Sequence, residues 1–162
     1  MRIFLDTEFT DFSVPRLISF GLASEDGREF YAELTDGWQP EHCTEFVTDV
    51  VLPLLGGDPA ARLSRDAAGE HLAHWLTGIE ESVTLIYDTE TDWRLLSQLL
   101  WPWQDVVAVE GVLLGWPGFA MARRHEDLLE ALLHDNPRRH HALVDARALR
   151  DSVLQNETEF RA

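Results

Sequence analysis

The chain has 162 residues, 45% of them hydrophobic, which predicts a single domain over residues 1–162 with a substantial buried core. A formal net charge of −16 and a pI near 4.6 argue against a protein that coats nucleic acid non-specifically, but allow one that binds a few nucleotides through metals and local arginines. The single cysteine, Cys43, excludes an intramolecular disulfide, and no apolar run is long enough to cross a membrane, so we expect a cytoplasmic protein without membrane contact.

The first element is a short apolar run, residues 3–5, typical of a strand buried on both faces. It ends in two carboxylates, Asp6 and Glu8, which point to the same side of an extended chain while Thr7 points to the other. Two like charges side by side at the end of a core strand are unfavourable unless a cation or protonation relieves them. A divalent metal with oxygen ligands is the simplest relief, so this pair is a candidate metal site.

The next elements are two strands, residues 16–24 and 28–34, joined by a hairpin whose Asp26-Gly27 pair is a strong turn signal. Apolar residues at helical spacing then predict helices over residues 40–54 and 64–76, with Ser64 as the N-cap of the second. The remaining predictions are strands over 83–87 and 104–109, a loop over 110–119, and helices over 89–101, 121–134 and 140–154. This order predicts an α/β fold with one mixed β-sheet flanked by α-helices.

Two later acids are candidates to complete the site. Asp92 lies on the same helical stripe as Leu95, Leu96 and Leu99, so it faces the core, near the end of a buried strand. Asp145 lies in the last helix, about one turn after His140 and His141. Four acids and a histidine suit a site in which carboxylates hold two cations and the histidine takes a proton from water during phosphodiester hydrolysis.

These residues resemble the motifs of the DEDDh 3′-to-5′ exonucleases of the ribonuclease H-like superfamily. The segments that carry the resemblance are FLDTEFT with Asp6 and Glu8, YDTETDWRLL with Asp92, and HHALVDA with His140 and Asp145. Their order and wide spacing cover nearly the whole chain, and the compact sequence looks most like a small bacterial exoribonuclease group of mycobacterial type. The resemblance implies a ribonuclease H-like fold and two divalent cations, Mg²⁺ or Mn²⁺.

By the same resemblance, Asp6 bridges both cations, Glu8 and Asp145 complete one metal shell, Asp92 serves the other, and His140 is the general base. The candidate substrate-binding residues are Thr7, Phe9, Phe12 and Arg139. The two phenylalanines suit stacking on terminal bases, and Arg139 belongs to one of two basic clusters that suit phosphate.

Each assignment has a structural alternative. Asp88 stands where many family members have Asn, and it and Glu90 suit the start of a helix, as does Asp92. His141 and Asp145 have the spacing of a surface ion pair on a helix. Phe9 suits the core equally well, and the arginine clusters suit solvated helix ends.

The function predicted from these residues is hydrolysis of short or single-stranded RNA from its 3′ end to nucleoside 5′-monophosphates. Short RNA is favoured over duplex DNA because a strongly negative protein binds poorly along the phosphates of a long duplex. The alternatives are a DNA-directed exonuclease of the same fold and a catalytically silent protein-interaction module. A homodimer is also possible, since tryptophans such as Trp101 suit either an interface or the core.

Overall fold

The computed structural model describes residues 1–161, which form one mixed sheet with helices on both faces. The strands are β1 (Arg2–Phe9), β2 (Leu17–Ser24), β3 (Glu29–Leu34), β4 (Arg62–Leu63), β5 (Val83–Tyr87) and β6 (Val109–Leu113). The helices are α1 (Arg65–Thr77), α2 (Glu90–Leu100), α3 (Phe119–Leu133) and α4 (Ala142–Arg161). Within the described residues, no helix combines the length and apolar character needed to span a bilayer.

The sheet has the strand order β4-β3-β2-β1-β5-β6. Strands β1, β2 and β3 pair antiparallel, as the hairpin signal predicts, whereas β1, β5 and β6 run parallel to one another. The predicted α/β fold with a mixed sheet flanked by helices is therefore confirmed, and it is consistent with a ribonuclease H-like arrangement. Because parallel strands end at the same side, the carboxyl ends of β1, β5 and β6 share one edge, where sites in α/β folds collect.

The alternation of side chains along β1 divides the core between the two faces. Ile3 and Leu5 pack on the face covered by α1 and α2, while Phe4 packs on the other face against α4. All three are fully buried, as expected of a strand covered on both sides. The same alternation places Asp6 and Glu8 on the α4 face and Thr7 on the α2 face.

A row of three paired residues crosses the sheet beneath the start of α4. Asp6 of β1 pairs with Gly21 of β2, and Gly21 pairs with Tyr31 of β3, so their side chains share the α4 face. A Cβ on Gly21 would lie 2.4 Å from the Cα of Leu143, so the backbone of α4 touches the sheet there. Glycine therefore allows the first turn of α4 to lie directly over the row.

The helix predicted over residues 40–54 begins later than expected and is irregular. A short turn at Pro40–His42 ends in extended backbone at Cys43, and residues 45–54 are then helical, with a π-helical turn at Val47–Val51 followed by a 3-10 turn at Leu52–Leu54. The Thr44 N–H donates to the Thr10 carbonyl at the end of β1 rather than to a helical partner. This tertiary contact separates the first turn from the helical residues and holds the segment beside β1.

The strand predicted over residues 104–109 is shifted to Val109–Leu113, inside the predicted loop 110–119. Glycine favours a loop, but Gly111 lies in the strand at a place of close approach, because a Cβ there would lie 2.5 Å from the Trp93 ring. The last helix begins at Ala142 rather than at His140, and it continues past residue 154 to Arg161. The cap predicted at Ser64 is present, since its hydroxyl accepts from the Ala67 N–H at 3.3 Å.

Candidate active site

A cavity of about 420 Å³ lies at the carboxyl end of β1. It brings together all five residues predicted to be catalytic, although they are spread over most of the chain. The lining residues are Asp6, Thr7, Glu8, Phe9, Asp11, Phe12, Thr44, Phe46, Val47, Thr89, Asp92, His140 and Asp145. No arginine is among these lining residues, so carboxylates are the charged groups that the cavity lining concentrates.

Asp92 reaches the cavity through a hydrogen bond to β1. Helix α2 begins shortly after β5, and its first turn carries Asp92, which is only 3% exposed. The Thr7 hydroxyl donates to the Asp92 carboxylate at 2.5 Å. Asp88, by contrast, is exposed and does not line the cavity. Of these two acids, Asp92 is the one placed to act in the site, and Thr7 orients it.

His140 and Asp145 are joined by the turn that leads into α4. The His140 backbone N–H donates to the Asp145 carboxylate at 3.0 Å. Among the described residues other than glycine, only His140 has a positive φ, at 70°. A positive φ is unfavourable for any residue other than glycine. It is found most often at functional sites, where the surrounding structure holds a side chain in one orientation. Possible ligand atoms of Glu8, His140 and Asp145 all lie within 4.8 Å of one another.

His141 occupies a different environment from His140. Its carbonyl accepts from the N–H groups of Val144 and Asp145 at the start of α4, and its ring stacks on Tyr31. Burial, reinforced by Arg138, lowers the pKa of His141 to about 4, so its ring is neutral near pH 7. Within residues 1–161 it makes no ion pair with Asp145, unlike the surface pairing that the spacing allows. His140 is the histidine that lines the cavity.

The carboxylates of the cavity have raised pKa values. Burial, followed by repulsion from Glu8 and Asp92, raises the pKa of Asp6 well above its usual value. Burial also raises the pKa of Glu8 to about 8, that of Asp92 to about 7, despite the Thr7 hydrogen bond, and that of Asp145 to about 6. These shifts have the direction expected when like charges crowd a desolvated site.

Two buried carboxylate oxygens of the cavity, Asp6 Oδ2 and Asp145 Oδ1, have no hydrogen-bond partner among the described residues. An unpaired buried carboxylate oxygen is costly, and a divalent cation with oxygen ligands satisfies it. The four carboxylates line one cavity, and repulsion from the other three contributes to the raised pKa of Asp6, so these hard oxygen donors fit a divalent cation such as Mg²⁺ or Mn²⁺. His140 has a lowered pKa, because of burial and the nearby Arg139, so it remains a neutral proton acceptor.

The raised pKa values predict how the stability of the metal-free protein depends on pH. These acids bind protons more tightly in the folded state than in the unfolded state, so the free energy of unfolding falls as pH rises from about 4 toward about 8. We expect the thermal unfolding temperature in EDTA to be several degrees lower at pH 8 than at pH 6. Mn²⁺ should restore it, and more at pH 8 than at pH 6, as measured by calorimetry. A pH-independent unfolding temperature in EDTA would contradict this account.

Aromatic side chains form the apolar wall of the cavity. Phe9 and Phe12 meet edge to face with ring centroids 5.0 Å apart, and Phe12 is 81% exposed. Phe46 meets the His140 ring edge to face, also at 5.0 Å. Phe46 is not among the predicted site residues, because its spacing fits the apolar face of the helix predicted over residues 40–54. The one sequence feature that could indicate a role in the site is an aromatic side chain in a segment where Pro53 makes a regular helix less favourable.

Arg139 is placed apart from the aromatic wall. Its guanidinium forms an ion pair with Glu130 at 3.1 Å, and the residue does not line the cavity. The carboxylates, His140, Thr7 and the two predicted phenylalanines therefore converge in the cavity, while the fourth substrate-binding candidate faces α3.

Comparison with known proteins finds similarity over part of the chain. A segment of 66 residues, 40% of the chain, is 47% identical to two 3′-5′ exoribonucleases of Mycobacterium tuberculosis, one from strain CDC 1551 / Oshkosh and one from strain ATCC 25618 / H37Rv. The match spans 38% of the length of each relative. No protein-family model matches the chain.

Proposed function

We propose that this chain is a metal-dependent 3′-to-5′ exoribonuclease of the DEDDh type, which releases nucleoside 5′-monophosphates from single-stranded or short RNA. The observation that carries the proposal is the convergence of Asp6, Glu8, Asp92 and Asp145 with His140 in one cavity. The partial identity to two mycobacterial 3′-5′ exoribonucleases supports the same activity, direction and substrate.

Two divalent cations are proposed to bind to the four carboxylates, with Asp6 shared between them, Glu8 and Asp145 on one and Asp92 on the other. The unpaired oxygens of Asp6 and Asp145 support cation binding at these two carboxylates. When bound, such cations supply charge neutralisation for the phosphate and its leaving oxygen, and they acidify water. Their charge would also return the site carboxylates to the ionised state that the raised pKa values disfavour.

His140 is proposed to take a proton from the attacking water with a ring nitrogen. Its lowered pKa keeps the ring neutral and ready to accept a proton near pH 7. The Phe46 ring meets it edge to face, and the His140 N–H bond to Asp145 fixes the backbone, so the imidazole has a defined direction. The Thr7 hydroxyl performs the corresponding orienting role for Asp92.

Substrate contacts are proposed at the aromatic wall. The exposed ring of Phe12, with the partly buried Phe9 ring that meets it edge to face, offers a stacking surface to the terminal bases, which favours an unpaired 3′ end over a duplex. Arg139 is a proposed phosphate contact outside the cavity, and it would have to exchange its ion pair with Glu130 for the substrate.

The test is an exonuclease assay with purified protein. A short, unstructured oligoribonucleotide carrying a 5′ label should shorten stepwise from its 3′ end with Mg²⁺ or Mn²⁺, with release of nucleoside 5′-monophosphates. EDTA should stop the reaction and excess metal should restore it. A DNA oligomer of the same sequence, assayed in parallel, distinguishes the RNA-directed enzyme from a DNA-directed one. Absence of cleavage with either metal, on several RNA and DNA substrates, would refute the proposed function.

A further inference from the structure

Tyr31 and His141 form an aromatic pair on the side of α4 that faces away from the cavity. Their ring centroids are 4.4 Å apart with an interplanar angle of 26°, a stacked arrangement. His141 is only 5% exposed, and its Nδ1 has no hydrogen-bond partner among the described residues. The His141 ring therefore contacts Tyr31 through its face, and Nδ1 contributes no hydrogen bond within residues 1–161.

Tyr31 is itself held in place by β3 and the loop after residue 55. Its hydroxyl donates to Glu33 at 3.1 Å, and the Gly56 N–H donates to both oxygens of the same carboxylate, at 3.0 and 2.9 Å. Glu33 is 4% exposed and Tyr31 is half-buried, so this network is partly shielded from solvent. The Tyr31 ring is thus a fixed surface on which His141 rests.

The pair lies opposite the catalytic residues across the first turn of α4. In the row Asp6, Gly21 and Tyr31, the glycine lies beneath the backbone of α4, Asp6 lines the cavity on one side, and Tyr31 meets His141 on the other. His140 precedes His141 directly, and the His141 carbonyl accepts from the Asp145 N–H at 3.1 Å. A shift of His141 would therefore move both His140 and Asp145.

We propose that Tyr31 and His141 are positioning residues, whose stacked rings hold the turn from His140 to Asp145 in its catalytic geometry. This inference rests on the proposed function. The strained, left-handed backbone of His140 persists only while its surroundings enforce it, and the stack is an enforcing contact outside the cavity. Without it, the turn relaxes and the imidazole of His140 leaves the cavity carboxylates.

The first comparison uses three variants of β3. Tyr31→Ala removes the stack, while Tyr31→Phe keeps the ring and loses only the hydrogen bond to Glu33. Phe30→Ala is the matched control, because Phe30 stacks on Phe20 on the opposite face of the same strand. We expect Tyr31→Ala to lower kcat at least about tenfold with little change in KM, since small misplacements of catalytic groups cost up to about a hundredfold. Tyr31→Phe and Phe30→Ala should remain within about threefold of the parent per folded molecule, as no catalytic group moves.

The second comparison separates positioning by His141 from proton transfer by it. His141→Phe keeps a ring to stack on Tyr31 but has no nitrogen, whereas His141→Ala has neither. Positioning predicts that His141→Phe retains most of kcat and that His141→Ala loses it. An inactive His141→Phe that folds normally would instead mark His141 as a group that acts through its nitrogen, and would overturn the inference.

Hydrogen exchange gives a readout that does not depend on activity. In peptides covering residues 138–146, exchange should be faster in Tyr31→Ala than in the parent, and unchanged in Phe30→Ala, because the His140 and Asp145 N–H groups are bonded within this turn. Equal exchange and equal kcat in the two alanine variants would overturn the positioning role. A parent protein that cleaves no RNA would refute the proposed function, whereas the exchange comparison would still report whether the stack orders the turn.

Discussion

Asp6→Asn is expected to abolish RNA cleavage, with kcat reduced by about a thousandfold or more, while the fold is retained. Asp6 is the carboxylate proposed to contact both cations, and losing about 4 kcal/mol of charge stabilisation in the transition state corresponds to that factor. The substitution replaces a buried, repelled carboxylate by a neutral amide of similar shape. The metal-free variant should therefore unfold at a higher temperature than the metal-free parent at pH 8, while Mn²⁺ should stabilise it less than it stabilises the parent.

This combination separates a catalytic defect from a folding defect, because activity falls while stability rises. Asp135→Asn is a suitable control, since it makes the same chemical change at a side chain that is 99% exposed. The control should match the parent in activity and in its response to Mn²⁺, as measured by single-turnover cleavage and calorimetry. If Asp6→Asn kept more than a tenth of the parent kcat, the assignment of Asp6 to both cations would be wrong.

His140→Ala is expected to lower kcat by about a hundredfold to ten-thousandfold, the range that general bases contribute. Removal of the ring leaves the four carboxylates in place, so binding of Mn²⁺ should persist, and titration calorimetry can measure it. The acidic limb of the kcat profile against pH should also change, because protonation of this imidazole no longer switches activity off.

His134→Ala is the matched control for this variant, since the His134 side chain is 71% exposed and pairs only with acids on the surface. It should have the parent kcat at every pH. A fully active His140→Ala together with an inactive, folded His141→Phe would move the base to His141. Loss of Mn²⁺ binding in His140→Ala would instead make the ring a metal ligand, a role that its closeness to Glu8 and Asp145 permits.

A cavity residue could be predicted from the sequence where the repeat of its own strand or helix determines which way its side chain points. Alternation along β1 puts Asp6 and Glu8 on one face, and the leucine stripe of α2 turns Asp92 inward, as the structure shows. The hydrogen bond from Thr7 in β1 to Asp92 in α2 joins residues 85 positions apart in the sequence. No local sequence pattern predicts such a contact. The same holds for Phe46, whose place beside His140 depends on the contact of Thr44 with the end of β1.

The errors in the predicted fold have a common physical origin. Helical spacing over residues 40–54 predicts one helix, but the bond from the Thr44 N–H to the Thr10 carbonyl separates the turn at Pro40–His42 from the helical residues 45–54. Gly111 favours a loop in the sequence, yet it lies in β6 because the Trp93 ring needs the space above it. In both places a partner distant in sequence decides the local conformation.

The long separation between β1 and α4 has a consequence for synthesis of the protein. Translation proceeds from the N-terminus, so Asp6 and Glu8 leave the ribosome well over a hundred residues before His140 and Asp145 do. Until α4 docks over Gly21, the nascent chain has three of the four carboxylates, Asp6, Glu8 and Asp92, but lacks Asp145 and the proposed general base. On the proposed function, a growing chain held close to its own messenger RNA is thus inert, and nuclease activity begins only with the completed fold.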